Sequence, residues 1–111
     1  MDALSDEKTL TELSFNNPTC GKLSGDRLIE ELDTFVRNDP QQSYRLTVGT
    51  DSRHVDQRAS IVSVIAVRRV GNGGRFFWRR FYRDQFPSLR RRIYVEATQS
   101  LRLASRLNEV L

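Results

Sequence analysis

At 111 residues the chain has room for one domain, and its 38% hydrophobic and 29% charged residues suit a folded core rather than a disordered chain. The longest apolar stretch, Ile61 to Val67, is too short to span a bilayer and carries Ser63, and the acidic start lacks the basic region of a signal peptide, so no membrane association and a cytoplasmic location are expected. The net charge of +4 is unevenly spread: residues 1 to 40 hold nine acids against four bases, whereas Arg68 to Arg92 hold nine arginines against Asp84 alone.

Residues 1–23 are polar and punctuated by Asn16, Asn17, Pro18 and Gly21, with no sustained period, and they read as a mobile or irregular N-terminal arm. Within it Cys20, the sole cysteine, cannot form an internal disulfide and reads as a loop thiol. The folded domain is expected over 24–111. Ser24 is a candidate N-cap with Asp26 in the first turn, and Leu28, Ile29, Leu32, Phe35 and Val36 then share one face of an amphipathic helix. Asn38-Asp39-Pro40 ends that helix, because Pro40 disfavours the α region for Asp39.

Tyr44, Leu46 and Val48 alternate with Arg45, Thr47 and Gly49, the period of a strand, which is expected to end at Thr50-Asp51-Ser52. Ser60 to Val70 reads as a second strand, apolar on both faces and so in need of cover on both sides. The glycines of Gly71-Asn72-Gly73-Gly74 join it to a third strand, Arg75 to Arg83, and read as a hairpin turn rather than a phosphate cradle. Pro87-Ser88 opens a long helix marked by Leu89, Ile93, Ala97, Leu101 and Ala104. The order predicts a mixed α/β fold of helix, three-stranded antiparallel meander and long helix, with one helix on each face of the sheet.

The arginine-rich stretch attracts polyanions, and guanidinium forks match phosphate oxygens. Arg79, Arg83, Arg90, Arg91 and Arg92 are therefore candidate nucleic-acid contacts. The alternative is a solvated basic face, since sixteen arginines beside two lysines also fit GC-rich coding. Phe76, Phe77, Trp78, Phe81 and Tyr82 crowd the third strand among arginines; core packing is the stronger reading and base stacking the weaker. His54, the only histidine, reads as a surface residue rather than a general base.

A meander opening on a strand that ends in an aspartate, followed by a helix bearing an inward glutamate, resembles the first half of the ribonuclease H fold. The string Tyr44-Arg45-Leu46-Thr47-Val48-Gly49-Thr50-Asp51-Ser52, with Asp39-Pro40 before it and Ile93-Tyr94-Val95-Glu96-Ala97 after it, is similar to the bacterial ribonuclease H-like family typified by YkuK. That resemblance implies a metal-dependent nuclease acting on RNA or an RNA/DNA hybrid with Mg2+ or Mn2+. Of the carboxylates such a centre uses, it carries over to Asp51 and, on the helix, Glu96. Further strands bearing more acids follow the helix in the family, so the chain is read as an incomplete, truncated domain with its C-terminal strands missing. Asp56 and Asp84 are reserve ligands. The competing roles are a turn aspartate for Asp51 and an i,i+4 partner of Arg92 for Glu96. Two functional alternatives stand beside the nuclease: a non-catalytic nucleic-acid-binding module, and a homodimer paired through the open edge of the first strand.

Overall fold

The computed structural model describes residues 10–110. A 3-10 turn at Leu10–Glu12 leads into strands β1 (Ser14–Asn17) and β2 (Gly21–Ser24), helix α1 (Gly25–Arg37), strands β3 (Tyr44–Val55), β4 (Arg58–Arg69) and β5 (Gly74–Asp84), and helix α2 (Leu89–Val110). All pairings are antiparallel, in the order β2-β1-β5-β4-β3, so β3 is an edge strand. No helix of the described residues is long and apolar enough to cross a membrane.

The meander and both helices occur in the chain order read from the sequence, and α1 begins as read: the Ser24 hydroxyl accepts from the Arg27 amide at 3.3 Å. The last turn of α1 and the residues just after it are met by the sheet. The Tyr44 hydroxyl donates to the Asp39 carbonyl at 2.6 Å, and Arg69 donates to the Phe35 carbonyl at 2.9 Å and to the Tyr44 oxygen at 3.1 Å. The glycine turn is a turn, with Gly71 and Gly73 at positive φ.

Three expectations are corrected. Ser14 to Leu23, read as part of an irregular arm, form a β-hairpin that extends the sheet past β5, whereas residues 1–9 of that arm lie outside the described residues. Asn17 organises the hairpin: its Oδ1 accepts from the Thr19 and Cys20 amides at 2.8 Å each, and its Nδ2 donates to the Phe76 carbonyl at 2.9 Å. Phe15, fully buried, and Leu23 then point into the core.

β3 does not stop at Ser52 but continues to Val55, opposite Arg58, so only Asp56 and Gln57 form the turn, with Asp56 at φ 57°. Asp51 is therefore in mid-strand.

The two helices do not take one face each. Leu28, Leu32 and Phe35 of α1 and Leu103 and Leu107 of α2 join a single core with Ile65, Val67 and Phe77 of the sheet. A second, smaller core gathers Ala59, Ile61, Phe81, Phe86 and Val95. Directly opposed residues in an antiparallel pair share a face and successive residues alternate. The odd-numbered positions of β4 and β5 thus lie under the helices, while Val62, Val64 and Ala66 of β4 lie half-buried on the other face.

Candidate nucleic-acid interface

The alternation of β5 sorts its crowded aromatics. Phe77 and Phe81 enter the core, as expected, but Phe76, Trp78 and Tyr82 stand on the face that neither helix covers, with Phe76 46% and Tyr82 43% exposed. Their neighbours are small: Ala66, Val64 and Ser60 lie opposite them on β4, and beyond these come Thr47, Gly49 and Arg53 of β3. Gly49 has open space where a Cβ would sit. A depression of about 640 Å³, lined by Gly49, Asp51, Val62, Val64 and Arg80 among others, occupies the low ground.

Charge on this face is predominantly positive. Arg45 and Arg53 of β3, Arg58 and Arg68 of β4 and Arg80 of β5 are all exposed there, against Asp51 and Asp84. Two of the guanidiniums already lie against rings: Arg58 is 4.8 Å from the Tyr82 centroid and Arg80 5.8 Å from that of Trp78.

The five arginines singled out in the sequence are distributed differently. Arg79 pairs with Ser63 on the helix side, where burial and then the neighbouring charge of Arg106 pull its pKa below the ordinary value. Arg83, also on that side, lies over Phe86 at 4.6 Å. Arg92 is half-buried and tied to β3: Nε donates to the Ser52 hydroxyl at 3.0 Å and Nη2 donates to the Ser52 carbonyl. Arg90 and Arg91 are exposed in the first turn of α2, whose N-terminus is capped by Ser88 accepting from the Arg91 amide at 3.2 Å.

Asp51 and Glu96 are not brought together. Ser52 faces α2 and donates to Glu96 Oε2 at 2.5 Å, and Arg92 Nε is 3.6 Å from the same oxygen. The next hydroxyls along, Ser100 to Thr50 at 2.9 Å and Thr50 to Ser63 at 2.9 Å, continue this polar seam beneath the helix. Asp51, between Thr50 and Ser52, points to the opposite face, opposite Val62. Glu96 thus has the i,i+4 partner that its spacing allowed. Asp56 supplies its carbonyl to Gln85 at the turn, and Asp84 lies opposite Arg58. His54 accepts from the Phe86 amide at 3.3 Å and stacks on the Phe86 ring, which fixes the loop before α2. Among the described residues no group of three or more His, Cys, Asp or Glu side chains comes together as a metal site, and the donor set does not fit a two-metal centre.

Residues Arg45, Arg68 and Arg80, together with Phe76, Trp78 and Tyr82, were not separable in the sequence. Aromatics and arginines fill both parities of β5, and only the position of the helices tells which parity is exposed.

An antiparallel sheet with its N-terminal hairpin, two helices on one face and an acid-bearing edge strand defines a mixed α+β domain of ribonuclease H-like type. The family model described as ribonuclease H-like matches residues 27–111, and the chain belongs to that family. It is similar to the uncharacterized protein YkuK of Bacillus subtilis (strain 168), with 28% identity over 94 residues, or 84% of this chain. The chain spans 55% of that relative's length. No solved structure matches.

Proposed function

We propose that this chain is a nucleic-acid-binding module of the ribonuclease H-like family that holds phosphates with arginine and does not cleave with its own carboxylates. The observation that carries the reading is the exposed positive charge on a sheet face without helix cover, where five arginines outnumber two aspartates. Such a surface gains affinity by releasing condensed counterions, so binding falls steeply with salt. Titration of labelled RNA, RNA/DNA hybrid and DNA at several salt concentrations tests it. A slope of log K against log salt of roughly −2 to −3 is expected, as three or four neutralised phosphates give. A slope near zero would sink the reading.

A second reading, hydrolysis of phosphodiester bonds in RNA or an RNA/DNA hybrid with Mg2+ or Mn2+, is favoured by family membership and by the exposed carboxylate of Asp51 in the depression. It requires acids that the described residues do not bring to Asp51. Metal-dependent cleavage that vanishes in Asp51→Asn would establish it.

Self-association has its own observation. Among the described residues the twelve-residue strand β3 is paired on one side only, and Leu89, Ile93 and Leu101 form an exposed apolar stripe on α2, which packs over β3. A second copy joining the β3 edge would satisfy its free backbone groups. Light scattering at high protein concentration reads this out, and a monomer throughout would exclude it.

A further inference from the structure

We infer that the open face of the sheet binds single-stranded nucleic acid, stacking bases on Phe76, Trp78 and Tyr82 while arginines hold the phosphates. The inference rests on the nucleic-acid reading above and sharpens it to a strand without a partner. A duplex hides the faces of its bases, whereas an unpaired strand offers them to aromatic rings.

Four features of the face argue for this occupant. Phe76 and Trp78 are two residues apart on β5, hence about 7 Å along the strand, and Tyr82 stands about 13 Å beyond Trp78 with Arg80 between them. The rings are thus in a row, with a cation inside it. Second, the rows beside them are low: Ala66, Val64 and Gly49 leave room for planar groups laid against the rings. Third, Arg45 and Arg68, paired across β3 and β4 near the glycine turn, and Arg53 towards the far end, place charge at both ends of the face. Fourth, Phe76 and Tyr82 are exposed and Trp78 is half-buried although nearby positions under the helices hold fully buried Phe77 and Ile65, so aromatic surface is left in water beside a well-filled core.

Charge complementarity separates this occupant from the obvious competitors. Two copies stacked face to face would bring Arg45, Arg53, Arg58, Arg68 and Arg80 against the same set, with only Asp51 and Asp84 to offset them. An apolar helix would cover those guanidiniums with nothing to neutralise their charge. A polyanion whose monomers also carry π faces satisfies both the rings and the charges.

Trp78 is the only tryptophan, so its emission reports on this face alone. The experiment titrates the full chain with labelled oligouridylate of about ten nucleotides, a length within the range of single-strand site sizes, following label anisotropy and Trp78 emission together. A duplex of the same length serves as competitor. Saturating anisotropy with parallel quenching is expected, and the duplex should compete poorly. Phe76→Ala and Tyr82→Ala should each weaken binding roughly tenfold, with unfolding midpoints close to that of the parent chain because both rings are exposed. Equal affinity for strand and duplex, with Trp78 emission unchanged and steep salt dependence kept, overturns the inference and leaves the electrostatic reading standing. Quenching by polyglutamate that matches the oligonucleotide also overturns it. No binding to any nucleic acid at low salt removes both.

Discussion

The two faces of the sheet are built from the same three long strands yet have opposite character. Under the helices β4 and β5 present Ile61, Ile65, Phe77 and Phe81, and Thr50 and Ser52 of β3 beside them are tied to α2. On the open side the same strands present Val62, Val64, Phe76, Trp78 and Tyr82, ringed by arginine. Hydrophobicity alone does not distinguish the faces. What distinguishes them is where α2 docks, and that is decided in part by polar matching: Thr50 and Ser52 of β3 need partners, and Ser100, Glu96 and Arg92 supply them.

The sharpest way to break this comparison is to remove adjacent rings of β5 in turn. Phe77→Ala should cost about 3–5 kcal/mol of unfolding free energy, because it empties a filled core site, whereas Phe76→Ala should cost under about 1 kcal/mol. Urea denaturation of the two variants reads the difference directly, and equal losses would mean that the faces are misassigned. Next in size is the contrast between the two acids. Ser52→Ala leaves Glu96 without its hydroxyl donor in a half-buried site and should destabilise by about 1–2 kcal/mol, while Asp51→Asn should change stability by less than about 0.5 kcal/mol. Asp51→Asn should also bind nucleic acid no more weakly than the parent, since it removes a negative charge from a positive face. A loss of binding there would favour the metal reading instead. The smallest effect is expected at the start of α2. Arg90→Ala with Arg91→Ala should flatten the salt slope by less than Arg68→Ala with Arg80→Ala, because only the second pair borders the aromatic row.

Much of the fold was legible. The alternation of Tyr44 to Gly49, the Ser24 cap and the glycine turn each correspond to a local physical preference, and each lies where that preference puts it. The hairpin of β1 and β2 was hidden because two four-residue strands with few apolar residues between them carry too little pattern to stand above a polar background. The long helix misled for a different reason. Leu89, Ile93, Ala97 and Leu101 form a regular stripe, but that stripe is exposed, Leu101 at 70%, and the buried one is Val95, Gln99, Leu103 and Leu107. A helix with two apolar stripes chooses by what lies beneath it, and hydroxyls on β3 favoured the more polar side. The candidate site followed the same rule: Asp51 and Glu96 were legible as acids on their elements, but which face of the sheet the helix takes was not, and that face keeps them apart.

A chemical-shift map of the chain during titration with single-stranded oligouridylate tests the division of faces most directly. The structure predicts shifts at Phe76, Trp78, Arg80 and Tyr82, with Phe77, Phe81 and Glu96 left unmoved. Shifts that gather instead on α2, with the open face silent, would contradict it.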